Sequence, residues 1–236
     1  MAFKLLDLYA CEGGAGEGYR RAGFEVIGVD LHRQRRNPHP MMPPCDVLAL
    51  PVEFIRMFDA VHASPPCQFG SELTPTASRK NHLNLIPGTR ALLEKAGVPY
   101  VIENVRNVRT HLVSPVSLFG TMFDCHAITS QGMRLDLSRE RLFETNWPFE
   151  APEDPGPRHT VAGVYGGHVR VRSGDFRTGG DTGRTVELPG EDRAAIARQL
   201  MGMPWATMNG MSEAVPPVFT EYVGRKLIAH LESLNV

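Results

Sequence analysis

An apolar run, a glycine-rich turn, a helix and a second apolar run fill residues 3–30, and that succession leaves few folds open. Phe-Lys-Leu-Leu-Asp-Leu-Tyr at 3–9 is short and apolar, as a buried strand is. Cys-Glu-Gly-Gly-Ala-Gly-Glu-Gly at 11–18 can turn sharply and let the backbone approach a ligand closely. A helix is expected through 19–23 and a second strand over 25–30. Strand–turn–helix–strand is the unit of doubly wound α/β proteins.

The same alternation continues downstream. Ala-Val-His-Ala at 60–63 and Pro-Tyr-Val-Ile-Glu at 99–103 read as further strands, with a helix at 89–96 between them. The expectation is an α/β, mostly parallel, Rossmann-like sheet with helices on both faces. Helices are expected again at 191–201 and 217–234. Between 147 and 190 the texture changes to Gly, Pro, Arg and Thr around a β-like run at 159–172. Long apolar side chains are scarce there, too few for a core of its own. The division expected is therefore a catalytic domain from 1–145 and 191–236 and a small insert at 146–190.

Charge and cysteine usage narrow the classes. A formal net charge of -1 gives no global field for a polyanion, so any nucleic-acid contact needs a local basic patch. Cys11, Cys45, Cys67 and Cys125 form no CxxC pair, and His32, His39 and His62 fit no zinc spacing, so neither a disulfide framework nor a metal site is expected. No apolar run approaches the ~20 residues that cross a bilayer, and the first residues do not read as a signal peptide. A cytoplasmic monomer with no membrane contact is the expectation.

Three groups of residues carry chemistry. Asp7, Tyr9, Gly13 and Gly14 lie at the carboxyl end of the first strand, where such sheets bind nucleotide-like cofactors. Asp30 ends the second strand, the position that holds ribose hydroxyls, and Asp46 lies where it can meet an adenine amino group. The spacing is neither that of a dinucleotide fingerprint nor that of a P-loop, which favours S-adenosyl-L-methionine. Ser64-Pro65-Pro66-Cys67-Gln68 follows the third strand, and two prolines preset the backbone that presents the cysteine. Glu103 caps the strand at 99–103 on the same edge, where partial burial would raise its pKa. Carbon 5 of cytosine is too poor a nucleophile to take a sulfonium methyl group unaided. A thiolate adding to C6, with an acid at N3, turns C5 into an enamine carbon that can take it.

Asp-Leu-Tyr-x-x-x-Gly-Gly, Pro-Pro-Cys-Gln, Glu-Asn-Val and Arg139-Glu140-Arg141, in that order, resemble the motifs of cytosine-5 DNA methyltransferases. Glu213-Ala-Val-Pro-Pro resembles that family's last motif, and the short chain resembles its phage-encoded members. The likeness covers roughly 3–145 and 191–230. It implies Cys67 as nucleophile, Glu103 at N3, and Arg141 and Arg139 orienting a flipped base. It implies a cofactor pocket of Asp7, Tyr9, Gly13, Gly14, Asp30, Asp46, Pro66 and Val215. Double-stranded DNA is the implied partner, met by Gln68, Ser71, Arg79 and Lys80 in a mobile loop over 68–88 hinged at Gly70, Ser71 and Gly88. Cys11, Glu213 and Leu137 depart from the pattern, standing where Gly, Asn and Gln are usual.

The insert would read the target. Arg170, Arg172 and Arg177 lie among glycines there, with Arg158, His159, His168 and Arg184. Arginine suits bidentate contact with guanine, and so small a reader would specify about 2–4 base pairs. Two other readings stay open. One is an RNA cytosine methyltransferase of the same fold, and the other is a relative that binds DNA without turnover.

Overall fold

The computed structural model describes residues 2–69, 83–157, 160–173 and 184–234. The strands, in chain order, are β1 (Lys4–Leu8), β2 (Glu25–Val29), β3 (Ala60–Ala63), β4 (Tyr100–Asn104), β5 (Val116–Phe119), β6 (His126–Ile128), β7 (Arg134–Leu137), β8 (Glu140–Thr145), β9 (Thr160–Tyr165), β10 (His168–Ser173) and β11 (Arg184–Thr185). They make two sheets.

The first sheet has the order β2-β1-β3-β4-β8-β5. Its pairings are parallel from β2 to β4, and β8 is antiparallel to both β4 and β5. This is the doubly wound, mostly parallel sheet expected from the sequence. Side chains alternate between its faces with the period of two that a strand imposes. Leu5, Ala60, Val101 and Phe143 pack on one side with Tyr19, Phe219, Val223 and Leu227, from the helices Gly14–Ala22 and Pro217–Leu234. Leu6, Leu8, Val61, Ala63 and Ile102 pack on the other with Ile55, Ile86 and Leu93, from the helices Val52–Ile55 and Ile86–Ala96. Burial on both faces is why these strands read as apolar runs rather than as alternations.

Register decides where the chemistry falls. Leu8 pairs with Ala63, and Ala63 with Ile102. The chain therefore leaves β1, β3 and β4 at one edge of the sheet, and the segments carrying Tyr9, Cys67 and Glu103 emerge side by side.

The second sheet has the order β11-β10-β9-β7-β6. Leu135, Leu137, Ala162, Val164, Val169 and Val171 face Ile196, Leu200, Met201 and Met211 from the helices Arg193–Met201 and Met208–Glu213. The interval 146–190 supplies β9, β10 and β11, but the sheet takes two strands from before it and the covering helices from after it. Apolar side chains that the interval lacks are thus borrowed from both flanks. The boundaries at 145/146 and 190/191 cut through this core rather than around it.

Among the described residues no helix is long and apolar enough to cross a membrane.

Candidate active site

The loop after β1 is held against its own backbone preference. Tyr9 (φ 59°), Cys11 (φ 43°) and Gly13 (φ 81°) all sit in the left-handed region. For a residue with a side chain that costs about 1–2 kcal/mol, so neighbours must fix the shape. Cys11 N donates to Asp30 Oδ2 at 3.0 Å, and Asn37 Nδ2 donates to Cys11 O at 3.0 Å. The Tyr9 hydroxyl meets Thr89 Oγ1 at 2.9 Å. Asp30, at the end of β2, also accepts from His32 N (2.9 Å) and Gln34 Nε2 (3.0 Å), so its carboxylate already organises the rim of the pocket. Asp46 is exposed and caps the turn Val47–Ala49 through Leu48 N at 3.0 Å. Gly13 packs on Asn37 and Pro38 and serves the turn. Gly14 forms part of the wall, so close to the last motif that a Cβ there would lie 2.4 Å from Val215 O.

Asp7 lies beneath this loop, buried, with neither carboxylate oxygen in an aligned hydrogen bond among the described residues. Burial pushes its carboxyl up to about 8; the Gly16 amide opposes the shift and Asp30 adds to it.

Cys67 follows the two prolines at the end of β3 and is half-buried. Asn104 pins this turn to β4. Its Nδ2 donates to Pro65 O at 2.8 Å, and its Oδ1 accepts Val105 N at 2.9 Å. Burial pushes the Cys67 thiol up, Arg141 pulls it down, and Glu103 pushes it up again. Pro66 and Gln68 line the same cleft.

Glu103 is 4% exposed on β4, and Arg141 reaches it from the adjacent antiparallel strand β8, Nε to Oε1 at 2.9 Å. That contact is off-line for a hydrogen bond, so Oε1 is buried yet without a good donor. Burial raises the Glu103 carboxyl, with Arg141, Ser64 and Arg139 pulling against it. Arg139 does different work. It donates to Val164 O (2.8 Å), Ser212 O (2.9 Å) and Ala214 O, and stacks on the Tyr165 ring at 5.4 Å. It fastens β9 and the last motif to the first sheet, its guanidinium occupied by backbone carbonyls. Burial lowers its pKa to about 9.

These groups line one open cleft of about 1980 Å³ between the sheets. Asp7, Tyr9, Gly14, Asp30, Asp46 and Val215 form one end; Pro66, Cys67, Glu103, Arg139 and Arg141 form the middle. Arg170, exposed on β10, is on the far wall with Tyr165 and Asn209. Arg172, two residues on, shares its strand face but is partly buried and does not reach the cleft wall. Gly88 lies in the first turn of the helix Ile86–Ala96 and is not a loop hinge. Gly70, Ser71, Arg79, Lys80, Arg158, His159 and Arg177 lie outside the described residues.

Several contributors escaped the sequence reading. Asn104 was legible only as part of Glu-Asn-Val, though an Asn directly after a strand is a plausible side-chain clamp. Arg106 and Arg109 line the cleft and lie within 3.8 and 3.7 Å of Glu140; the basic spacing after Glu-Asn-Val was their signal. His62 and Tyr19 gave none, because a His in an apolar strand and a Tyr in a helix look like ordinary core.

No family model matches the chain, and no curated protein sequence matches it either. Solved structures do. An E. coli prophage protein assigned as a DNA modification methyltransferase superposes with a TM-score of 0.61 at 14% identity, covering 98% of this chain and 100% of that one. Dnmt2 of Spodoptera frugiperda gives 0.58 at 12%, covering 96% and 100%. The Entamoeba histolytica methyltransferase EhMeth gives 0.57 at 10%, covering 98% and 99%. Near-complete coverage in both directions makes the likeness one of the whole fold, second sheet included: the chain has the Rossmann-like architecture of these methyltransferases.

Proposed function

We propose that this protein is an S-adenosyl-L-methionine-dependent methyltransferase that modifies carbon 5 of cytosine in DNA. The observation that carries the reading is that Cys67 and Glu103, 36 positions apart, wall one cleft together with the strained loop after β1. The neighbours in structure, a prophage DNA modification methyltransferase among them, support it at the level of fold.

The residues present fit the cofactor. Asp7 offers two buried, unpartnered carboxylate oxygens to the cleft, which a cationic ligand would satisfy. Asp30 and Asp46 supply acceptors for hydroxyl and amino groups at the same end, and Gly14, Pro66 and Val215 supply close walls. When bound, the cofactor supplies an electrophilic methyl group on sulfur. The chain's own residues do the rest. Cys67, as thiolate, adds to C6 of a cytosine swung out of the duplex, and the electron pair moves toward C5. Glu103, its carboxyl raised by burial, gives its proton to N3 as negative charge develops there, and Arg141 holds the carboxylate that remains. Methylated C5 then loses its proton to solvent base, the C6–sulfur bond breaks to restore the thiolate, and N3 returns its proton to Glu103.

Arg170, with Gln68 and Arg172, is the proposed DNA contact on the described surface, and Ser71, Arg79, Lys80 and Arg177 extend that proposal. The test is methyl transfer to duplex DNA and to tRNA at equal concentration, followed by base-resolution sequencing. Methylcytosine in the duplex is the expected product. Transfer to tRNA alone would move the substrate to RNA, and failure to trap 5-fluorocytosine DNA covalently would leave a binding protein.

A further inference from the structure

A chain of polar groups runs from the helix Gly14–Ala22 through the first sheet to the cleft. The Tyr19 hydroxyl lies 3.0 Å from His62 Nδ1, and His62 Nε2 lies 2.9 Å from Ser64 Oγ. Tyr19 and His62 are both 0% exposed. Ser64 follows the parallel pair Ala63–Ile102 by one residue, as Glu103 does, so the two stand side by side at the cleft, and the Ser64 hydroxyl pulls the Glu103 carboxyl down. A polar string through the middle of an apolar sheet costs stability unless every member is satisfied, and here the three members satisfy one another.

The direction of the hydrogens follows from the ends. A carboxylate only accepts, so Ser64 donates to Glu103. Ser64 Oγ then accepts from Nε2–H of His62. That leaves Nδ1 with its lone pair, which takes the Tyr19 hydroxyl. Burial drives the His62 pKa down to about 3, so the ring is neutral throughout the working range and has one donor and one acceptor, as the chain requires. The string ends at Tyr19, inside the core.

We propose that Tyr19, His62 and Ser64 are positioning residues that orient the Glu103 carboxyl toward a base in the cleft. Arg141 Nε lies 2.9 Å from Oε1. The donor string and Arg141 therefore fix the group from two neighbouring strands. Such fixed second contacts are what hold an acid in productive geometry. The inference rests on the reading of Glu103 given above for its catalytic meaning, but not for its physical test. Other charged groups facing Glu103 are Arg141, Arg139 and Cys67 from the neighbouring segments. None of them is altered by the substitutions below.

Two near-isosteric variants test it, Ser64→Ala and Tyr19→Phe. The Glu103 carboxyl is followed by carbon-13 NMR titration of the full chain labelled on glutamate, its resonance identified by its loss in Glu103→Gln. Ser64→Ala is expected to raise the midpoint by about one unit, as loss of one donated bond does, and Tyr19→Phe by less in the same direction. An unchanged midpoint in Ser64→Ala overturns the proposal, whatever the enzyme proves to methylate. In turnover, Ser64→Ala is expected to lower kcat about tenfold with KM for DNA and cofactor unchanged, and Ser64→Thr to restore it. In the Glu103→Gln background Ser64→Ala should cost nothing further. A full tenfold loss there would mark Ser64 as merely structural and overturn the assignment. A wild-type chain that traps no 5-fluorocytosine would sink the functional reading alone, and the titration would still decide the positioning role.

Discussion

Gly14→Ala is the sharpest test of how the cofactor loop is held. A single methyl group there would sit 2.4 Å from Val215 O, 3.0 Å from Met203 Sδ and 3.1 Å from Ala214 Cβ. Carbon and oxygen need nearly 1 Å more, and the nearest obstacle is backbone, which cannot rotate away. Either the helix Gly14–Ala22 or the last motif must shift. Overpacking of this kind costs about 2–3 kcal/mol, which for a chain of this size lowers Tm by roughly 4–12 °C. Gly88→Ala is the matched control. It is the same chemical change in the first turn of the helix Ile86–Ala96, where the nearest atoms are Leu48 methyl groups at 3.4 and 3.5 Å. It should be neutral or stabilising by up to ~1 kcal/mol, since alanine outranks glycine in a helix. Circular-dichroism melts of the three proteins, with calorimetric titration of S-adenosyl-L-methionine, read both effects. Gly14→Ala should melt early and bind the cofactor weakly, because Val215 lines its pocket. A Gly14→Ala protein that melts within about 1 °C of wild type and binds equally well would refute the close approach.

Cys67→Ala should abolish methyl transfer and 5-fluorocytosine trapping while leaving the cofactor affinity unchanged; retained turnover would remove the nucleophile from the scheme. Arg90→Met should cost about 3–5 kcal/mol in urea unfolding. It strips Glu144, 1% exposed, of two hydrogen bonds of 2.6 Å and leaves that carboxylate only the Val113 amide. Arg170→Ala should weaken DNA binding and reduce the salt slope by about 1 if it meets a phosphate, or relax site choice if it meets a base; binding assays across salt and sequence separate the two. Asp7→Asn should raise stability at pH 8 by a few kcal/mol and flatten its pH dependence. The folded carboxyl holds its proton up to about 8 against an ordinary value of 3.8. Stability is therefore lost as pH rises from about 4 toward 8 in wild type but not in the variant, which urea midpoints at pH 5 and pH 8 would show.

The first sheet was legible because its strands are buried on both faces and its turns carry unusual residues. Ala60–Ala63 falls on the expected residues, and Tyr100–Asn104 is displaced by one. The second sheet was not legible in outline. Arg134-Leu-Asp-Leu and His126-Ala-Ile are short and half-polar, and β9, which pairs with β7, begins 23 residues after β7 ends. Local patterning cannot report a pairing made across that distance, so the insert seemed to start at 146 when its core starts near 125. The helix Arg193–Met201 was expected, but nothing in its residues says which sheet it covers.

The site divides in the same way. Cys67, Glu103 and Gly14 were legible because their residue types and spacing are costly to explain otherwise. Asn104, His62 and Tyr19 were not, because what they do depends on register. Pairing Asp7 with His62 on adjacent strands sets the buried imidazole between the Tyr19 hydroxyl and Ser64. One residue of slip would turn His62 to the opposite face, among Val61's neighbours, and break both of its hydrogen bonds. The polar string therefore constrains the fold as well as the acid. A sheet that closed in any other register would leave the buried Tyr19 hydroxyl without its partner, at the penalty of about 1–3 kcal/mol that an unsatisfied buried group carries.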